Sequence, residues 1–268
     1  MLEQTVPVIV SRFPDVIPHL KGRASVIHCE TKATQRDEGE PVRKEKVKTE
    51  KSFASILQAR LERQLKEIQR QLEERFGKTI STGDVYILDD EGENSELIRL
   101  FYEALLAGTD AAAIEMGIYL ADGAINERAL NVARTYVTDW LRQLDEVSAR
   151  AVRNAVQTFI QSPGTTIGDM INLLNPLFGE TRAARIAVTE TTRVFALAND
   201  IYAQELRAEY PDVDVIKQWY TNNDDRVCAI CGPLNGKTAR PNESFAVGID
   251  RPPAHVNCRC WTSVTVKA

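Results

Sequence analysis

The segment Cys228-Ala229-Ile230-Cys231, with His255-Val256-Asn257-Cys258-Arg259-Cys260 further along the chain, decides how the C-terminal part of this sequence folds. These two segments hold four of the five cysteines of the 268-residue chain. Thiolate and imidazole groups at such spacings are typical ligands of a tetrahedral zinc ion. The connecting residues 232–254 are rich in Gly, Pro and Asn and lack a periodic apolar pattern, so they need a constraint to hold a shape. The sequence therefore predicts a small zinc-stapled module.

Five side chains are candidates for four ligand positions: Cys228, Cys231, His255, Cys258 and Cys260. We expect both Cys258 and Cys260 to bind, with His255 as an alternative ligand or as a group that hydrogen-bonds to a ligand. A disulfide is the other use of such thiols. The odd number of cysteines and the lack of a secretory signal favour reduced thiols, and hence zinc.

A structural ion is expected rather than a catalytic one. Zinc deaminases carry a proline directly before Cys-x-x-Cys, whereas Val227 precedes Cys228 here. The chain has only three histidines, which is few for a His-rich metallonuclease. We therefore expect Zn²⁺ to hold the module together, and we expect residues after about 211 to unfold when the ion is lost.

The charge balance gives a weak indication of partners. The net charge of −5 argues against a protein coated in positive charge for wrapping duplex DNA. Residues 217–268 are locally basic, with seven Lys or Arg against four Asp or Glu. The candidate phosphate contacts there are Lys217, Arg226, Lys237, Arg240, Arg251 and Arg259. No run of 18 apolar residues is present, so no membrane partner is expected.

The remainder of the sequence predicts a mainly α-helical body, to which the module adds a small α+β part. Residues 1–51 are expected to form a flexible arm, because prolines and mixed charges dominate them. Residues 52–210 are expected to be helical: apolar residues from Leu57 to Phe76 recur at steps of three and four, and Gly77 ends that helix.

Further boundaries come from capping and breaking residues. Gly108 is expected to break a helix, and Thr165 or Thr166 to cap a helix over 167–178 with Asp169 near its N-terminus. A long helix then runs from Thr181 to Tyr210 and ends at Pro211. After that, residues 213–220 and the stretch through Trp261 are predicted strands, so we place a domain boundary near residue 211 and the module at 211–268.

Several blocks in fixed order resemble one family. They are Arg185-Ile186-Ala187-Val188-Thr189-Glu190-Thr191, then Trp219 with Asp225-Arg226-Val227-Cys228-Ala229-Ile230-Cys231, then Leu234-Asn235-Gly236-Lys237, and finally Pro252-Pro253-Ala254-His255-Val256-Asn257-Cys258-Arg259-Cys260. Together they span about residues 165–262 and resemble the phage Mu protein F-like head morphogenesis family, also called minor head or minor capsid proteins. Val188 stands where the family pattern usually has Arg.

The resemblance implies a phage minor head protein that acts in procapsid and head morphogenesis. It implies a place inside the phage head, in the host cytoplasm during assembly, with portal protein, scaffold or major capsid protein as partners and DNA as a further one. It implies no enzymatic activity. A DNA-binding ejection protein is the alternative, and a transferase or nuclease-like enzyme is a third. Structural roles are expected for Glu190, Trp219 and Asp225, with Glu190 tying its helix to the module through Arg226 or a backbone N–H.

Overall fold

A computed structural model describes residues 40–75, 85, 87, 91–162, 164, 166–222 and 227–267. Several sequence-based expectations lie outside this part of the chain: the arm over residues 1–39, the helix end at Gly77, and the roles of Asp225 and Arg226.

Long helices are followed by a small antiparallel sheet. The helices are α1 (Glu40–Glu73), α2 (Glu91–Met116), α3 (Asp122–Gln161), α4 (Ile167–Phe178) and α5 (Glu180–Glu209). The strands are β1 (Val215–Tyr220), β2 (Thr238–Ala239) and β3 (Trp261–Val266), with a 3₁₀ turn at Gly232–Leu234. The predicted fold class, a mainly helical body with a small α+β C-terminal part, is confirmed.

Helix α1 begins twelve residues before the expected start at Ser52, at Glu40, so residues 40–51 of the predicted arm are helical. These residues carry no apolar stripe, and for that reason the hydrophobic pattern gave no sign of them. Propagating a helix from a nucleated segment costs little when most of the added residues are Glu and Lys, as they are here. The predicted stripe itself is confirmed, since Leu57, Leu61, Ile68 and Leu72 are fully buried.

Helix α4 has the predicted N-terminus. The Thr166 hydroxyl accepts from the Asp169 N–H at 3.2 Å, and the Asp169 carboxylate accepts from the Thr166 N–H at 2.7 Å. Both bonds together form a capping box, which satisfies backbone donors that a helix end leaves unpaired. The N–H and hydroxyl of Thr166 also hold the pKa of Asp169 below its usual value.

Gly108 does not break a helix, contrary to the sequence-based expectation, and lies inside the continuous α2. A Cβ atom at this position would lie 2.5 Å from the Cβ of Ala198 and 3.2 Å from the Phe195 ring. Glycine is therefore needed for a close approach of α2 to α5 rather than for a turn. The next residue, Thr109, also lies inside this helix, and its hydroxyl donates to the Leu106 carbonyl at 2.8 Å.

Replacing Gly108 by alanine is expected to lower the free energy of unfolding, although alanine favours helix by ~1 kcal/mol. Overpacking of this kind costs about 1–3 kcal/mol, and here the clash involves two Cβ atoms that cannot rotate away. Thermal unfolding measures the effect. Gly123→Ala is the matched control, because no atom lies within 4 Å of a Cβ there. A Gly108→Ala protein as stable as the Gly123→Ala protein would contradict the close approach.

The sheet has the order β2-β1-β3, with β1 antiparallel to both neighbours. Alternate residues of β1 are buried, so Val215, Lys217 and Trp219 share the inner face. The two longer strands were expected from the sequence. The two-residue strand β2 was not, because it is too short to carry an alternating pattern.

The contacts divide the chain into two compact units. Of the described residues, one unit comprises 40–49 with Tyr102–Val132 and those from Val188 to Lys267, and the other comprises those from Glu50 to Phe101 with Ala133–Ala187. In the first unit, residues of β1 and β3 share an apolar core with α2 and α5, including Val215, Val264, Tyr202 and Met116. A second apolar cluster surrounds Trp219 and the cysteines. Residues after 211 thus pack in one unit with α5 from Val188 onward, and the domain boundary near residue 211 stays a prediction.

Candidate metal centre

Each half of the predicted zinc site is a tight turn. In the first, Gly232 N–H donates to the Cys228 carbonyl at 2.9 Å, and the Cys231 N–H points at the Cys228 sulfur at 3.4 Å. In the second, Cys258 N–H donates to the His255 carbonyl at 3.2 Å, and Asn257 adopts a positive φ of 63°. Asparagine tolerates this left-handed conformation better than most residues. Each turn therefore brings its own candidate ligands close together: the sulfurs of Cys228 and Cys231 in the first, and residues His255 and Cys258 in the second.

The structure brings all five predicted donors together. The Nε2 atom of His255 lies 3.0 Å from the Cys228 sulfur and 3.3 Å from the Cys231 sulfur. The sulfurs of Cys231 and Cys258 lie 3.8 Å apart. Two sulfurs bound tetrahedrally to one zinc at ~2.3 Å lie about 3.8 Å apart, so this pair already has the spacing of zinc ligands.

The donors form two overlapping groups of three that share Cys231. One group is Cys228, Cys231 and His255, and the other is Cys231, Cys258 and Cys260; within each, the ligand atoms lie within 4.8 Å of one another. Both groups contain only sulfur and imidazole donors. This donor chemistry suits zinc and is poorly suited to magnesium or calcium, which prefer oxygen. The choice of four ligands among the five stays open.

His255 is oriented as a ligand. Its Nδ1 atom lies 2.8 Å from the Val256 carbonyl, which can only accept a hydrogen bond. Nδ1 therefore carries the proton, and the lone pair of Nε2 is left for the sulfur side of the ring, where a metal ion would bind. Burial opposes protonation of the ring, but this hydrogen bond and the neighbouring thiolates raise the pKa of His255 above its usual value.

The thiols are electrostatically unequal. The Cys260 thiol donates to the Cys258 sulfur, which lowers the pKa of Cys258 to about 5 and raises that of Cys260. Burial and the Cys258 charge raise the pKa of Cys231 to about 12. Burial also opposes ionisation of Cys228, yet the N–H groups of Cys231 and Ile230 outweigh it and lower the pKa of Cys228. Cys231 and Cys260 therefore stay protonated beside their ionised neighbours, and a bound cation would be needed to hold all four sulfurs as thiolates.

Helix α5 supports the second turn through side chains whose role the sequence did not indicate. The Thr192 hydroxyl donates to the Cys258 carbonyl at 2.7 Å, and the Asn257 N–H donates to the Thr189 hydroxyl at 2.8 Å. Seven residues beyond Thr192, the Asn199 amide donates to the Thr262 carbonyl at 2.6 Å. The only sequence signal was a run of threonines on a helix, which has a low helix propensity and no obvious apolar role.

Two of the three residues with expected structural roles, Trp219 and Glu190, lie among the described residues. Trp219 is fully buried among Cys231, Cys258 and Cys260, and its ring meets the Phe245 ring edge-on at 5.3 Å between centroids. Glu190 is buried and forms an ion pair with Arg193 at 3.2 Å. Its predicted bond to Arg226 lies outside the described residues.

The predicted nucleic-acid-binding set needs one correction. Lys217 is only 1% exposed and pairs with Asp200 at 2.8 Å, so its ammonium group is not available to a phosphate. Arg251 also pairs with Asp200, and Arg240 pairs with Asp214 at 3.4 Å. Lys237 is exposed, and Arg259 is half-buried in the wall of the small pocket around the cysteines. These ion pairs weaken the basic character inferred from the sequence.

Comparison with known families identifies the region. A family described as Phage Mu protein F like protein matches residues 150–263, which contain the whole candidate metal centre and the threonines of α5 that support it. This match confirms, over this part of the chain, the resemblance stated from the sequence motifs. Comparisons with curated proteins and with solved structures returned no match. Among the described residues, no helix has the length and apolar character needed to span a bilayer.

Proposed function

We propose that this protein is a minor head component that acts in procapsid and head morphogenesis and resides inside the phage head. The match of residues 150–263 to the Mu F-like family carries the proposal. Its place of assembly is the host cytoplasm. Its proposed partner is the portal protein, with scaffold and major capsid protein as the other capsid components to be tested. No catalytic residue is proposed, since the family is one of structural head proteins.

The proposal includes a structural Zn²⁺ held by four of the five donors Cys228, Cys231, His255, Cys258 and Cys260. When bound, the ion would neutralise the thiolates and crosslink two turns that are distant in sequence. The chain around it supplies little other order, because residues 240–260 form only short turns and an isolated bridge between Ala246 and Ile249. The metal would therefore define the surface that this part of the protein offers to the capsid.

Co-purification with the portal protein tests the assembly role. Tagged protein is mixed separately with the portal, scaffold and major capsid proteins encoded in the same genome, and retention is measured at low and high salt. Retention of portal protein is the expected result. Failure to retain any of the three would count against the proposed role.

DNA binding is the second candidate, favoured by the excess of basic residues over acidic ones in 217–268. Duplex binding measured against salt concentration separates it from the first, because each phosphate contact steepens the salt dependence. Lys237→Ala is the informative variant, since Lys237 is exposed. A salt slope reduced by about one in this variant would support phosphate contact. If the affinity for duplex DNA changes neither with salt concentration nor in Lys237→Ala, phosphate contacts are absent and DNA is not a partner.

A further inference from the structure

Two threonines one turn apart on α5 bind the backbone of the turn that carries His255 and Cys258. Thr189 accepts the N–H of Asn257 at 2.8 Å, and Thr192 donates to the carbonyl of Cys258 at 2.7 Å. The two bonds therefore fix the beginning and the end of the dipeptide Asn257-Cys258. The direction of the Cys258 side chain depends on the backbone between these two points.

We propose that Thr192 and Thr189 are positioning residues of the metal centre: without touching the ion, they preorganise the Asn257-Cys258 backbone so that the Cys258 sulfur faces the other donors before metal arrives. The inference rests on the metal centre proposed above. Thr189 belongs to the Arg185–Thr191 block, and Thr192 is the residue directly after it. The sequence alone did not indicate a role for either residue.

The backbone at this point needs such support. Asn257 has a φ of 63°, in the left-handed region, and the Cys258 residue is buried. A short turn without a partner element samples several conformations, and only some of them place the sulfur correctly. The measured metal affinity then falls in proportion to the competent fraction. Groups that orient metal ligands through hydrogen bonds typically contribute 10–100-fold to metal affinity.

The same helix offers a contrast that separates positioning from general stability. Thr191 lies between the two positions in sequence and is fully buried, yet its hydroxyl has no hydrogen-bond partner among the described residues. Replacing threonine by valine keeps the shape and removes only the hydroxyl. Thr191→Val thus changes the same helix, in the same turn, without removing a bond to the metal loop.

The experiment measures the affinity of the full chain for Zn²⁺ by competition with a chromophoric chelator. We expect Thr192→Val to weaken binding by about 10–100-fold. Thr189→Val should weaken it less, since a backbone N–H near the surface can turn to water. Thr191→Val should stay within about twofold of wild type. Thr192→Ser, which restores the hydroxyl, should recover most of the loss.

A second readout uses Co²⁺ in place of zinc, since its visible absorption reports the geometry of the bound ligands. The Thr192→Val spectrum should differ from that of wild type, whereas the Thr191→Val spectrum should not. Wild-type affinity in Thr192→Val, or an equal loss in Thr191→Val, would overturn the positioning role while leaving the metal centre intact. A wild-type protein that takes up neither ion would overturn the metal centre itself. If Thr192→Val does not fold, the zinc affinity of Thr189→Val compared with that of Thr191→Val still decides the question, and equal affinities would overturn the positioning role.

Discussion

Removal of the metal ion by a strong chelator is expected to loosen residues 227–260 and to leave the β1–β3 pair and the helices folded. The two turns that carry the donors are joined by few backbone hydrogen bonds, and the ion would be their main connection. The strands have other support, because Val215, Val264 and Val266 lie in an apolar core with Tyr202 and its neighbours on α2 and α5. From the sequence alone, all residues after about 211 were expected to unfold on metal loss. The structure limits the expected unfolding to residues 227–260.

Hydrogen exchange resolves the two regions. After chelation, the Gly232 N–H, which bonds to the Cys228 carbonyl at 2.9 Å, should lose protection. The Lys267 N–H, which bonds to the Asp214 carbonyl at 2.8 Å, should keep its protection.

In thermal unfolding, a free metal concentration about 1,000 times the Kd contributes ~4 kcal/mol to the free energy of unfolding. For a chain of this size, its loss lowers the Tm by about 8–16 °C.

Variants give the same test without chelator. Cys228→Ser combined with Cys231→Ser removes two of the five candidate donors and should abolish bound metal, as measured by elemental analysis. Cys29→Ser is the matched control, because Cys29 is the one cysteine outside the predicted ligand set. Protein purified without chelator that contains no metal, or a Tm that chelation leaves unchanged, would disprove the proposed zinc centre.

The ligand cluster could be predicted because its chemistry is local in sequence and unusual in composition. Cys-x-x-Cys and His-x-x-Cys-x-Cys admit few structures other than a metal site or disulfides, so the pattern alone sufficed to predict that sulfurs such as those of Cys231 and Cys258 lie close together. The stripe from Leu57 to Leu72 was equally clear, since repeated apolar steps of three and four have one common explanation.

Features that depend on tertiary neighbours could not be predicted in this way. Gly108 has the appearance of a helix breaker in sequence, yet its role is set by Ala198, ninety residues away. Lys217 looked like a surface cation because lysine is seldom fully buried, and only the strand register places it on the inner face of β1. The role of a hydroxyl such as that of Thr192 depends on the backbone group that it contacts, here the Cys258 carbonyl, and no local sequence pattern indicates that contact.

Loss of the Asp200 carboxylate is expected to be the most destabilising single change in the first unit. Lys217 is 1% exposed, and its ammonium group bonds to Asp200 at 2.8 Å. Its remaining neighbours are the Asp250 carbonyl at 3.3 Å and the face of the Phe245 ring, 5.6 Å from the centroid. Asp200→Ala would leave a buried cation without a countercharge. Removing one partner of such a pair costs about 3–5 kcal/mol, which corresponds to a Tm lower by ~10 °C.

The cause of that loss can be separated from packing by removing both charges. Asp200→Leu with Lys217→Met fills the same space with apolar groups, which is often neutral for a buried pair, and Arg251 is exposed enough to turn to water. The double variant should therefore recover most of the stability. Asp214→Ala, at the exposed pair with Arg240, is the control and should cost no more than about 1 kcal/mol. If Asp200→Ala were as stable as Asp214→Ala, Lys217 would have to escape burial. A buried Lys217–Asp200 pair favours the observed register of β1, because a shift by one residue would move Lys217 to the other face and break the pair. A lysine that escapes burial would remove that contribution.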